Sequence, residues 1–221
     1  MRPNLTIWMV NLDRAPGDLG LLSAEEQQRA DSLKWSHDRI RYLNAHCALR
    51  RILAEELRVI PRFIEFATTA LGKPYLIASA TNLEFSLSHS GGYGLIAVAR
   101  GHLVGADIEV QRPMLDLLPV VFQFATTQEA KAFQLLSTSQ TRSAFFDLWT
   151  RKEALLKALG GGFLIDPREV EVEIGPDRSY VNFAERSWTI ESLAIRSGVR
   201  AAVAIEGVFE TPLVWEQFEW V

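Results

Sequence analysis

The chain has 221 residues, 48% hydrophobic and 23% charged, with a formal charge of −4 and a pI near 5.6. No global basic field exists, which argues against broad electrostatic binding of nucleic acid. Cys47 is the single cysteine, so neither an intramolecular disulfide nor a zinc site built on two thiolates can form.

Leu5–Leu12 reads as a strand, and its apolar part, Leu5–Val10, is too short and too polar for a signal peptide's apolar region. No apolar run approaches a membrane span, so a cytoplasmic protein with no membrane partner is expected. Ser23-Ala24-Glu25-Glu26 carries the capping-box pattern and opens a short helix. A longer helix is predicted from Ser36 to about Leu57, with Ile40, Leu43, Cys47 and Leu53 on its apolar stripe. Pro61 ends it. Strand signals follow at 63–67 and 84–88. Tyr93–Ala99 and His102–Val110 also read as strands, with Arg100-Gly101 between them suited to a tight hairpin turn.

After Arg112-Pro113, Thr126 or Thr127 caps a helix through Ala130 and Phe133. Ser143–Leu159 is an amphipathic helix stopped by Gly160-Gly161-Gly162. Further strands are predicted at 169–174, 188–195, 199–206 and 213–218. Each half thus offers a helix and several strands. That order suggests an α+β fold with antiparallel sheets and a helix on each.

Four clusters carry chemical possibilities. In Gly105-Ala106-Asp107-Ile108-Glu109, strand alternation puts Asp107 and Glu109 on one face. Paired carboxylates suit a hard divalent cation, although a solvated acidic face has the same pattern. In Trp149-Thr150-Arg151-Lys152-Glu153-Ala154-Leu155-Leu156-Lys157, Glu153 and Lys157 are four apart on one helix face. Lys152 projects into the apolar arc, where it either snorkels or meets an anion. Phe85-Ser86-Leu87-Ser88-His89-Ser90-Gly91-Gly92 ends a strand in hydroxyls, an imidazole and glycines, a composition suited to phosphate or to an ordinary polar turn. Leu71-Gly72-Lys73-Pro74-Tyr75 is a turn without the glycine spacing of a Walker A loop.

The order and spacing of these clusters, from Gly72-Lys73-Pro74 to the Trp149–Lys157 helix, closely resemble the 4′-phosphopantetheinyl transferase superfamily, in its Sfp-type branch. The resemblance implies a pseudo-dimer of two similar α+β halves, 1–106 and 107–221, each an antiparallel sheet with a packed helix, with the active site in the cleft between them. It implies Mg²⁺ held by Asp107, Glu109 and Glu153, with Lys157 as a catalytic or phosphate-binding lysine; the carrier serine needs a base, for which Glu153, directly or through metal-bound water, is a candidate. It places coenzyme A near Ser88, His89, Lys73 and Pro74. Arg41 and Arg50 are expected near the 3′-phosphate, and Lys152 among the groups that neutralise phosphate charge.

The expected reaction moves the phosphopantetheine arm of coenzyme A to a serine of an acyl or peptidyl carrier protein, releasing adenosine 3′,5′-bisphosphate. Met114–Phe124 is a candidate carrier-docking stretch or part of the core, and a monomer is expected. A non-catalytic coenzyme A or carrier-binding module and a Mg²⁺-dependent phosphodiesterase stand as alternatives.

Overall fold

A computed structural model describes residues 4–15, 17–77, 82–161 and 164–220. Among them are ten strands, five α-helices and short 3₁₀ turns. The fold is α+β with predominantly antiparallel sheets.

The first large sheet has the order β10-β1-β5-β4, built from β1 (Leu5–Asn11), β4 (Leu83–Ser90), β5 (Tyr93–Arg100) and β10 (Glu216–Gln217). The second has the order β6-β9-β8-β7, from β6 (Val104–Val110), β7 (Arg178–Phe183), β8 (Arg186–Leu193) and β9 (Val199–Glu206). A small hairpin joins β2 (Phe66–Thr68) to β3 (Pro74–Leu76).

The expected hairpin of β5 with β6 does not form. Gly101 turns the chain at φ 77°, but both edges of β5 are occupied, by β1 and β4. β6 therefore crosses to the second sheet and pairs antiparallel with β9. The hairpin partner of β5 is β4, through Gly91-Gly92.

α1 (Ala24–Asp31) starts at the Ser23 capping box, with both reciprocal bonds to Glu26 present. α2 (Ser36–Leu57) covers the outer face of the first sheet, where Leu49, Ile52 and Leu53 pack with Val10, Phe85, Ile96 and Val98. α3 (Leu118–Phe124) and α4 (Thr127–Gln134) follow, and Thr126 caps α4 through a second capping box with Glu129. α5 (Thr138–Leu159) begins before the predicted Ser143, at the N-cap Ser137, whose backbone N–H donates to Gln140 Oε1 at 3.2 Å. It ends at Gly160, which takes φ 76°. Gly162 of the predicted stop lies outside the described residues.

The strand predicted at 169–174 is absent. Pro167–Glu169 forms a 3₁₀ turn and the chain runs on without ladder pairing. The strand predicted at 213–218 shrinks to β10, which returns to the first sheet beside β1.

The inner faces of the two sheets pack together. Ile7, Leu95, Ala97 and Ala99 meet Ala106, Ile108, Ala201, Val203 and Ile205. α5 covers the outer face of the second sheet through Phe145, Leu148 and Leu155 against Trp188, Ile190 and Ala204. The resulting layers are helix, sheet, sheet, helix. Gly105 allows α5 to lie directly on β6, since a Cβ there would stand 2.0 Å from the Ala154 carbonyl oxygen. No helix among the described residues is long and apolar enough to cross a membrane.

Candidate functional site

Strand alternation sets the inner face of β6 against the first sheet and its outer face against α5. Ala106 and Ile108 take the inner, apolar side. Asp107 and Glu109 fall on the side of α5, where Glu153 and Lys157 stand one turn apart. The close approach at Gly105 brings these groups to one place.

Lys157 Nζ lies 2.5 Å from Asp107 Oδ1 and donates to Ser88 Oγ at 3.0 Å. Ser88 Oγ in turn donates to Asp107 Oδ1 at 2.7 Å. Ser90 Oγ donates to Glu109 Oε2 at 2.7 Å. The two strands involved, β4 and β6, are sheet edges. Three serine hydroxyls cross between them: Ala106, Ile108 and Val110 donate their backbone N–H groups to Ser86, Ser88 and Ser90 at 3.0, 3.4 and 3.1 Å.

The charges at this place disturb one another. Glu153 is pushed up to about 7, chiefly by burial, with the charges of Asp107 and Glu109 adding to the rise and Lys157 opposing it. Glu109 is also raised, first by burial; the Ser90 hydrogen bond opposes the rise and the Asp107 charge adds to it. Glu153 keeps only 9% of its surface exposed.

A hard divalent cation fits this donor set, which consists of carboxylate oxygens. Asp107 Oδ2 supports the fit: it is buried and has no hydrogen-bond partner, a costly state for an acceptor that nothing else compensates. As the side chains lie, no group of three acidic, histidine or cysteine residues among the described ones closes around an ion. The Lys157 ammonium is the charge partner of Asp107 instead.

Beside the carboxylates opens a cleft of about 470 Å³, lined by Glu26, His46, Phe66, Lys73, Pro74, His89 and Lys157. His89 keeps much of its side chain open to solvent. The walls still crowd its ring, and that desolvation lowers its pKa, with the nearby charges of His46 and Lys157 adding to the effect. Lys73 donates to Glu84 at 3.1 Å and to the Ala158 carbonyl at 3.0 Å, tying the β2–β3 hairpin region to the C-terminal end of α5. Its stem lies against Gly160.

Three residues expected near the ligand, Lys152, Arg50 and Ser88, have partners within the protein. Lys152 does enter the apolar arc, but its ammonium is consumed inside the protein. It pairs with buried Glu129 at 2.8 Å and donates to the carbonyls of Pro167 and Val170. Burial lowers its pKa, against the Glu129 charge. Arg50 is likewise internal: its guanidinium meets Glu26 at 2.8 Å and the carbonyls of Pro61 and Ile64. Neither faces a ligand. Ser88 stands at the site, but its hydroxyl holds Asp107 rather than lining the cleft. Arg41 stays at the surface, paired with Asp13 at 2.7 Å, within electrostatic reach of His89.

Glu26 and His46 escaped the sequence reading as site residues, and Ser90 was read only as one hydroxyl of its cluster, with no role of its own. Glu26 accepts from Ser23, Arg50 and His46 at once, and nothing in its capping-box pattern announces the last two. Ser90 is different. The period of two in Ser86, Ser88 and Ser90 is a one-face signal of the kind that picked out Asp107 and Glu109. In 114–124, Leu115 and Phe122 are exposed, whereas Val121 and Phe124 belong to the core.

Comparison with known proteins bears on the same residues. A model of the 4′-phosphopantetheinyl transferase superfamily matches residues 103–204. A model of the 4′-phosphopantetheinyl transferase N-terminal region matches residues 8–101. The chain is 31% identical over 226 residues to the 4′-phosphopantetheinyl transferase HetI of Nostoc sp., covering 96% of this chain and 95% of that one. It is 34% identical over 165 residues to a candidate 4′-phosphopantetheinyl transferase of Synechocystis sp., covering 73% of this chain and 67% of that one. It is 25% identical over 159 residues to a 4′-phosphopantetheinyl transferase of Bacillus subtilis, covering 72% and 69%. The chain belongs to the 4′-phosphopantetheinyl transferase superfamily and is, by that membership, a 4′-phosphopantetheinyl transferase.

Proposed function

We propose that this enzyme transfers the 4′-phosphopantetheine arm of coenzyme A to a serine of an apo carrier protein, with Mg²⁺, and releases adenosine 3′,5′-bisphosphate. The observation that supports it most is the meeting of Asp107 and Glu109 on β6 with Glu153 and Lys157 on α5, beside a cleft of about 470 Å³. The reading treats the chain as a pseudo-dimer of halves 1–106 and 107–221, with the active site in the cleft between them. The seam then falls within β6, the strand whose outer face carries both carboxylates. A monomeric, cytoplasmic protein without nucleic-acid or membrane partners completes the reading.

Asp107, Glu109 and Glu153 would hold the cation, which supplies charge neutralisation beside the pyrophosphate. Lys73, Pro74 and His89 line the cleft where coenzyme A would lie, and Arg41, whose charge reaches His89, would serve the 3′-phosphate. The carrier serine oxygen attacks the β-phosphorus of coenzyme A. A new P–O bond forms there, the bond to the bridging oxygen breaks, and adenosine 3′,5′-bisphosphate leaves with that electron pair.

A serine hydroxyl needs a base. Glu153, buried on α5 beside Asp107 and Glu109, is the candidate to accept the serine proton. Lys157 stabilises charge developing on the phosphate oxygens, as cationic clamps do in other phosphoryl transfers. The exposed Leu115 and Phe122, which follow β6 in the chain, offer apolar contacts for a carrier helix.

The test is to incubate the enzyme with coenzyme A, MgCl₂ and an apo carrier protein and weigh the carrier. Addition of the phosphopantetheine mass, lost in Asp107→Ala and Glu153→Gln, is expected. Free phosphopantetheine without carrier modification would favour a phosphodiesterase, and an unchanged coenzyme would favour a binding module.

A further inference from the structure

The serines of β4 occupy a place that nothing in the reaction requires. Ser86 also lines the cleft, but all three bridge the edges of two sheets. A strand edge carries unpaired N–H groups that need acceptors. Here Ser86, Ser88 and Ser90 accept those of Ala106, Ile108 and Val110 in register.

A hydroxyl has one proton and two acceptor lone pairs. Ser88 Oγ receives the Ile108 N–H and the Lys157 ammonium, so its single proton is committed to Asp107 Oδ1. Ser90 Oγ receives the Val110 N–H, and its proton goes to Glu109 Oε2. Each carboxylate is thus held by one oxygen from a serine of the other sheet. In Asp107 the second oxygen is left buried and unpartnered. Ser86 makes the same backbone contact, but the β6 residue at the corresponding place is Gly105, which has no carboxylate to hold.

We propose that Ser88 and Ser90 are positioning residues that fix the orientation of Asp107 and Glu109, so that one oxygen of each is presented to the divalent cation. This rests on the proposed reading of those carboxylates as cation ligands. Partners that orient ligands in this way set metal affinity through the geometry of the donor atoms. It also makes the cation's affinity depend on the seating of one sheet on the other. Docking of β4 beside β6 sets the hydroxyls, and the hydroxyls set the carboxylates.

The test measures Mn²⁺ binding to the full-length protein by electron paramagnetic resonance, without coenzyme A or carrier. Thermal melts of each variant check that the fold is retained. Ser88→Ala and Ser90→Ala should each weaken Mn²⁺ by about 10–100-fold, the range for loss of an orienting partner. Ser90→Thr keeps the hydroxyl and should stay within about threefold of the wild type, whereas Ser86→Ala should lose backbone anchoring with a similarly small change in affinity. Wild-type binding that is lost in Asp107→Ala but unaltered in both Ser88→Ala and Ser90→Ala overturns the positioning role alone. Failure of the wild type to bind Mn²⁺ overturns the cation reading and the positioning role with it.

Discussion

The Lys157 ammonium sits 2.5 Å from Asp107 Oδ1, joining the last turns of α5 to the middle of β6. An acidic strand face thereby acquires a cation of its own, and the charge cluster survives partial burial. Lys157 also lines the cleft, so the same side chain neutralises a carboxylate and borders that space.

Lys157→Ala removes that cation. Turnover should fall by about 10²–10³, the usual loss when one preorganised charge-stabilising donor is deleted. Steady-state kinetics with coenzyme A and an apo carrier checks it. An effect confined to the KM for coenzyme A would assign Lys157 to binding alone.

Glu153 gives the protein a pH dependence of definite sign. Its ordinary value is 4.5 and the fold raises it to about 7. The folded state therefore keeps the proton over a range where the unfolded chain has released it. Stability from this group is full below about 4.5 and is lost as pH rises through about 7, by at most roughly 3 kcal/mol. Melting in chelator across that window should show a fall that Glu153→Gln flattens. Excess Mg²⁺ should counter the fall in the wild type. Parallel curves for wild type and variant would refute the assignment.

Lys152 and Arg50 are expected to matter for stability rather than for coenzyme A. Removing either strands a buried carboxylate, Glu129 or Glu26, at a cost of about 3–5 kcal/mol. Chemical denaturation of Lys152→Ala and Arg50→Ala reads this directly. Arg41→Ala, at an exposed pair with Asp13, should change stability by no more than about 0.5 kcal/mol, and its KM for coenzyme A should rise. An Arg41 variant with unaltered KM would remove that residue from the binding set.

Gly105→Ala tests the close approach of α5. The added methyl would stand 2.0 Å from the Ala154 carbonyl oxygen, so helix and strand must separate. Separation moves Glu153 and Lys157 away from Asp107 and Glu109. Lower thermal stability and loss of transfer should appear together. A variant with wild-type activity would mean that the spacing of α5 from β6 is not critical.

Much of the chemistry is legible along the chain because it depends on consecutive residues. Alternation in a strand puts Asp107 and Glu109 together, the helical repeat does the same for Glu153 and Lys157, and β9 spans 199–206 as its pattern predicts. The capping boxes of α1 and α4 are equally local. These features follow from backbone geometry over a few residues, and remote packing does not have to be known to read them.

Only the tertiary structure decided which of these local faces meet. Strand β5 had two neighbours already, so β6 left for the other sheet. The charges of Lys152 and Arg50 were taken up by Glu129 and Glu26, whose positions no spacing rule relates to them. The serines of β4 became partners of carboxylates about twenty residues away because the β6 edge needed acceptors for its free N–H groups. Periodicity fixes where a side chain points from its own backbone. What waits there depends on the packing of segments far apart in the chain.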